Sequence, residues 1–335
     1  QSGQGSQSIA IGYQCGRVNQ GNNSLVLGFG TAEVNQGNET LAFGYQAAQF
    51  NQGDQSTALG YQTGQINQGS QSTAMGYQSG KTSQRPKSVA IGYNAGLSNQ
   101  GSESVAIGFV AGELGQNALS VAIGSNSGQS NQGTQSVAIG DNSGEFAQGQ
   151  QTVAIGFQAG QTSQSTKSVA VGYESGQTSQ STQSVAMGHL SGRVKQGSRS
   201  VAVGDTCGEL GQNAFSVAVG YNAGRSYQGS ESVAVGYVAG ELGQNAMSVA
   251  IGSNAGQSYQ GTQSVAMGDD SGRVNQKSQS VAIGYQCGEL NQNAQSVAMG
   301  YQAGYTGQGS QSVAIGRNSG YTLQGDKSVA IGDSC

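Results

Sequence analysis

The stretch Ser88-Val89-Ala90-Ile91-Gly92-Tyr93-Asn94-Ala95-Gly96-Leu97-Ser98-Asn99-Gln100-Gly101-Ser102-Glu103 decides the fold, because Ser104 starts the same pattern again. Working outward in both directions, the motif recurs 21 times. Its first residue stands at Ser8, Ser24, Thr40, Ser56 and so on to Ser328, at a constant spacing of sixteen with no insertion or deletion. Positions 1 to 16 are numbered from that residue. Position 5 is Gly in all 21 copies and position 13 is Gln in all 21. Position 3 is Ala except at Val26, and position 9 is Gly except at Ala32 and Ala48. Position 8 is always Ala, Ser, Thr or Cys.

Sixteen residues are too few for two helices and their turns. Apolar positions 2 and 4 alternate with small positions 1, 3 and 5, which is the period of a strand, and Val and Ile favour strands. Gly at positions 5 and 9 suits turns. Each repeat is therefore expected to be one coil of an all-β, parallel β-solenoid (a β-roll). There would be 21 coils, each sixteen residues long with two short strands. One coil buries two aliphatic side chains, worth about 1.5–3 kcal/mol each. Ordering its backbone costs about 1–2 kcal/mol per residue. A coil alone cannot fold, whereas stacked coils can. At about 4.8 Å per coil the stack would be a rod on the order of 100 Å long. Residues 1–335 are read as a single uncapped solenoid domain. The chain opens on Gln1 with no signal region, enters the repeat at position 10 and leaves it at position 8, which reads as a processed form or a piece of a longer array.

Composition narrows the function. The 335 residues include 58 Gly and 1 Pro, and only 9% are charged. Thirteen Lys and Arg stand against 17 Asp and Glu, so no basic field exists for nucleic acid. Apolar runs of three or four residues are far short of the roughly 20 that cross a membrane as a helix, so no membrane insertion is expected. Gly does not fall at every third residue, which excludes collagen.

The copies also act as a mutation series. Charges enter positions 6, 7, 10, 12, 14, 15 and 16 but never positions 1, 2, 3, 4, 5, 8, 9, 11 or 13. Burying an unpaired charge is costly, so the second group is read as dry. Positions 2, 4, 8, 11 and 13 are expected to point inward. The position-13 row, such as Gln20, Gln36, Gln52 and Gln68, would form a core ladder of amide-to-amide bonds. Positions 1, 3 and 5 would then face outward as a flat Ser/Ala/Gly strip. Three explanations of that strip stay open: an interface between copies of the chain, a match to a lattice such as ice, mineral or polysaccharide, or a steric need for small residues inside a narrow roll.

Ser-Val-Ala-Ile-Gly, as in Ser88–Gly92 and Ser312–Gly316, resembles the head repeats of trimeric autotransporter adhesins. The strings Ala282–Gly288 and Ala298–Gly304 also look like repeats of phage and virus tail fibres. The resemblance covers the whole chain. It implies a left-handed parallel β-roll, three chains side by side, and a fibre outside the cell, on the cell surface or on a virion. Adhesin heads of this kind typically use a shorter coil than the sixteen of this chain. Ice-nucleation proteins share the longer coil, but their Thr-x-Thr rows are not in this sequence.

The four cysteines, Cys15, Cys207, Cys287 and Cys335, all occupy position 8. The nearest two are three coils, or about 14 Å, apart. A disulfide needs Cα atoms within about 7 Å, so no intrachain bridge is expected. Cys335 is the candidate for a link between chains, and end-to-end stacking into a filament is a second mode of assembly. Position 6 is aromatic in its first seven copies, Tyr13 to Phe109, and then carries Asp141, Asp205, Asp269 and Asp333, one in every fourth coil. Residues 101–144 repeat at 229–272 with seven differences, so duplication of a four- or eight-coil unit explains the period. The functional alternative is a row of carboxylates meeting a partner lattice, with the aromatic stripe stacking on sugars or on itself.

No catalytic constellation stands out. His189 is the only histidine, and a triad built with Asp205 and a serine would need a cleft that a flat rod does not offer. No P-loop and no metal-ligand spacing occurs, so no cofactor and no metal are expected. The sequence reads as a non-enzymatic structural or adhesive fibre segment that self-associates through the Ser/Ala/Gly face. The expected partners are further copies, a trimer or an end-to-end polymer, and a host surface or glycan. The alternative is a monomeric solenoid binding ice or a polysaccharide surface.

Overall fold

The computed structural model describes residues 2–335, and it is a parallel β-solenoid with a repeat of sixteen and no helix among the described residues. The chain divides into two compact units, Gln1–Lys167 and Ser168–Cys335. In each unit one strand row is formed by positions 2 to 6. It includes Thr73–Tyr77 and Val89–Tyr93 in the first unit and Val217–Tyr221 and Val233–Tyr237 in the second. The pairing is parallel and offset by one repeat, so every residue sits beside its own counterpart: Ala74 beside Ala90, Tyr77 beside Tyr93, Val217 beside Val233.

The second row, at positions 11 to 13, is thinner. It forms short strands such as Val34–Gln36 and Phe50–Gln52 in the first unit and Thr178–Gln180 and Val194–Gln196 in the second. Elsewhere it is reduced to single bridges such as Thr82 to Ser98 and Leu242 to Ser258. The reason lies at position 12, whose backbone is left-handed (φ +57° at Asn67, +56° at Tyr227) and interrupts the extended chain. Positions 7 and 16 are left-handed too, which explains why Asn and Gln dominate them.

The faces of the strand row are the reverse of the sequence expectation. Ala at position 3 is fully buried from Ala42 to Ala314, and Ser or Thr at position 1 is buried from Ser24 to Ser312. Val and Ile at positions 2 and 4 lie outside and half-exposed, for example Ile155 at 37% and Ile251 at 36%. Position 11 is also outside, with Leu114 and Phe146 exposed, while positions 8, 9 and 13 are inside. The physical cause is the glutamine at position 13. Gln132 crosses the interior to donate from Nε2 to the Val121 carbonyl at 2.7 Å. Gln228 does the same to Val217, also at 2.7 Å. An amide stretched across the coil leaves room opposite it only for Ser, Ala and Gly. Position 9 shows how tight the fit is: a Cβ added to Gly128 would come within 2.8 Å of the Gln132 amide oxygen. The strip of small residues is thus the lining of a narrow roll.

Gln20, Gln36, Gln52 and Gln68 lie in this interior row, all buried. Gln36 donates to Gln52 at 3.4 Å, and in the second unit the amide-to-amide bonds are tighter, 3.0 Å from Gln276 to Gln292 and from Gln292 to Gln308. Serine at position 1 closes the corner by donating to the carbonyl three residues earlier, as Ser104 does to Gly101 at 2.6 Å.

The inversion is directly testable. Ala122→Leu overpacks the interior and is expected to destabilise by about 1–3 kcal/mol. Ile123→Thr, one residue on and outside, should cost less than about 1 kcal/mol. Thermal unfolding of the two variants checks this; the opposite ranking would place the core on the other face.

Candidate functional site

Positions 2, 4 and 6 alternate with the buried positions, so they project on one side of the strand row as three parallel lanes. Lanes 2 and 4 carry aliphatic side chains in nearly every coil and no charge in any. The exposed members include Met187, Ile251, Met267 and Ile315 in the second unit. A monomer seldom exposes a contiguous apolar patch beyond a few hundred Å², and larger ones mark interaction sites. This face is the candidate functional site.

Lane 6 begins as an aromatic ladder. Tyr13, Phe29, Tyr45, Tyr61, Tyr77, Tyr93 and Phe109 stack with centroids 4.9–5.3 Å apart and planes within 19° of parallel. Each ring covers its neighbour's face. Edges and hydroxyls are what remain for a partner, so the ladder stacks on itself and does not offer ring faces to sugars between its members.

Further along, the lane turns polar. Asp141, Asp205, Asp269 and Asp333 are all exposed in it, and no two of them occupy adjacent coils. Asp205 bonds to a histidine. His189 Nδ1 lies 2.8 Å from its Oδ1, and Thr206 donates to the same oxygen at 2.7 Å. The His189 hydrogen bond first, and Thr206 second, hold the Asp205 carboxyl below the usual carboxylate range. The His189 ring also stacks on Tyr173, with centroids 5.3 Å apart. Ser191, the nearest serine in sequence, instead donates to the Gly204 carbonyl at 2.6 Å, so it does not join a triad.

A second polar lane runs at position 10. In the second unit it alternates in sign. Arg193 pairs with Glu209 at 3.0 Å, Arg225 pairs with Glu209 at 3.4 Å and with Glu241 at 3.1 Å, and Arg273 pairs with Glu289 at 2.6 Å. Burial pushes the Glu289 carboxyl up despite Arg273. These charges are neutralised along the lane by their own neighbours, so the lane offers little net field to a partner. Charge at position 10 was noted from the sequence but not its alternation, although the order Arg193, Glu209, Arg225, Glu241 runs from one repeat to the next.

Position 8 faces inward. Cys207 donates its thiol to the Gly220 carbonyl at 2.7 Å and Cys287 to the Gly300 carbonyl at 2.8 Å. Cys15 makes the same bond to Gly28 at 3.0 Å, and Thr31 and Ser191 do so with hydroxyls. Cysteine here substitutes for a small hydroxyl residue. Cys335 differs: it is exposed, with its Sγ 3.1 Å from the Ser319 hydroxyl. Among the described residues no group of three or more His, Cys, Asp and Glu is placed to hold a metal ion. The chain matches no protein-family model and no curated protein.

The buried thiol of Cys207 gives a pH signature. Burial raises Cys207 from 9.0 to about 11, so the unfolded chain ionises first as pH rises. Its contribution to stability is intact below pH 9 and is lost as pH climbs through about 11. Cys207→Ala should therefore flatten the fall in stability across that window, as read by urea unfolding at a series of pH values. An unchanged slope would show that Cys207 ionises equally in both states.

Proposed function

We propose that this chain is a non-enzymatic structural segment of a fibre and that it self-associates through the aliphatic lanes at positions 2 and 4. One observation carries this reading: a half-exposed Val/Ile/Met surface, free of charge in every coil, on a chain whose own interior is filled by Gln, Ser and Ala. Water is a poor neighbour for such a face, and a second copy presents the same face in the same repeat. The Ser/Ala/Gly strip is not the contact surface, because it lines the roll.

The resemblance of the Ser-Val-Ala-Ile-Gly string to adhesin heads and tail-fibre repeats supports a location outside the cell or on a virion, and three copies side by side. The exposed hydroxyl and carboxylate groups of lane 6 would then be available to a host surface or glycan. A specific observation favours a second reading. Lanes at a regular β spacing also suit a repeating solid surface, and Thr57 and Thr73 stand in lane 2.

Sedimentation equilibrium tests the proposal. The native chain should sediment as an oligomer at micromolar concentration. Ile251→Lys with Ile315→Lys should weaken association by at least about a hundredfold, from two lost apolar contacts at roughly 1.5 kcal/mol or more each. Both side chains lie outside, so circular dichroism and the unfolding midpoint should hardly change. A native chain that remains monomeric at high concentration would overturn self-association and move the solid-surface reading to first place.

A further inference from the structure

Lane 6 of the second unit reads as a self-complementary strip. From His189 forward it runs His, Asp, Tyr, Tyr, Ser; from Asp333 backward it runs Asp, Arg, Tyr, Tyr, Asp. Laid against each other, the two readings pair imidazole with carboxylate, carboxylate with guanidinium, ring with ring twice, and hydroxyl with carboxylate. We propose that the second unit associates with a second copy of itself as an antiparallel, face-to-face pair, with lane 6 meeting lane 6. The inference rests on the self-association reading, takes two copies in place of three, and adds their orientation and register.

Symmetry decides the orientation. When two identical faces meet about a two-fold axis parallel to the strand-stacking direction, the order of lanes is reversed, and lane 6 lies against lane 2. Asp205 and Asp269 would then be pressed against valines, which strands a carboxylate without a partner. When the two-fold axis runs across the stack instead, the copies are antiparallel and each lane meets its own counterpart. This is an isologous contact, in which residue i meets j and j meets i.

Charge then decides the register. With His189 opposite Asp333 of the second copy, Asp205 falls opposite Arg317 and Ser253 opposite Asp269. The tyrosines between them meet one another, Tyr221 opposite Tyr301 and Tyr237 opposite Tyr285. A slip of one coil one way sets His189 against Arg317; the other way it sets Asp205 against Asp333. The first slip takes Arg317 away from Asp205, and the second sets carboxylate against carboxylate. The His189–Asp205 hydrogen bond at 2.8 Å stays within each chain and joins the facing Arg317 and Asp333 in a polar group of four.

The area is sufficient. Ten coils at about 4.8 Å and a strand of four residues at about 3.3 Å make a face of about 48 by 13 Å. That is roughly 600 Å² on each copy and about 1,200 Å² in all, at the lower end of specific, stable interfaces. The two lanes of aliphatic side chains form its middle, and the charged lane forms one edge.

Cysteine cross-linking reads the arrangement directly. Tyr221→Cys and Tyr301→Cys are made separately on a Cys335→Ser background, which removes the exposed native thiol. Facing sheets lie about 10 Å apart, so a short bis-maleimide bridges opposed positions where a disulfide would not reach. A mixture of the two variants should yield a covalent dimer, and neither variant alone should. Cross-linking of either variant with itself would mean a different register and overturn the proposal. An oligomer by sedimentation that forms no covalent product in the mixture, or one with the mass of three chains, would overturn it and leave self-association standing. A monomer would overturn both.

A charge swap checks the pairing by a second route. Arg317→Asp should weaken association at least tenfold, and adding Asp205→Arg to the same chain should restore it. Within one chain the swap places Arg beside His189 and Asp beside Asp333, so recovery can come only from contact between copies. Failure to recover in a chain with native circular dichroism would overturn the pairing.

Discussion

The amide of position 13 is the constraint on which the rest of the structure depends. It spans the coil from one strand row to the carbonyl of position 2 on the other, as in Gln260 to Val249 at 2.7 Å, and in most coils of the second unit it also bonds to the next amide, as Gln260 does to Gln276. A buried amide left without partners costs about 1–3 kcal/mol, so each coil is obliged to keep both the glutamine and its geometry. The width of the roll follows from the length of one glutamine. From that width follow Ala at position 3, Ser at position 1, the small residue at position 8 and the glycine at position 9. Even Ala32 and Ala48, where position 9 carries a methyl group, hold the same left-handed backbone (φ +46° and +47°).

A core of this kind inverts the usual division between inside and outside. The interior is largely polar and held by hydrogen bonds, and the aliphatic side chains are on the surface. Hydrophobic burial therefore contributes less within one chain than in an ordinary domain, and the ladder contacts between coils contribute more. The largest store of unburied apolar area lies on the strand-row face. In this molecule much of the apolar surface stays outside the chain's own core.

The period, a strand on the alternation of positions 1 to 5 and the parallel stacking were legible in the sequence, because 21 aligned copies leave no other economical reading. The dryness of positions 1, 3, 8, 9 and 13 was legible from the absence of charge. The side on which each strand face lies was not. Alternation assigns Val89 and Ala90 to opposite faces without saying which one is the core. Uncharged positions can be dry for two reasons, a packed interior or a covered surface, and charge alone cannot separate them. Size could have done so. Position 3 never exceeds Val26, whereas position 2 ranges from Thr57 to Leu41 and position 4 from Val171 to Phe43. A ceiling on volume marks a walled interior, and tolerance of volume marks a face with open space above it. The alternating Arg and Glu of position 10 were equally present in the sequence, but their pairing emerges only when the same position of successive repeats is read as a row of neighbours.

The strict stacking of like on like has an evolutionary consequence. Removing or adding one whole coil leaves every interior contact unchanged, because each coil meets a neighbour of the same design. It does shift the polar pattern of position 6, where the aspartates recur in every fourth coil. The smallest change in length that preserves both the interior and that pattern is therefore four coils. A gene encoding such a chain can lengthen or shorten by unequal recombination in steps of four coils without loss of surface order. Single-coil steps would leave the solenoid intact and its outer face out of phase.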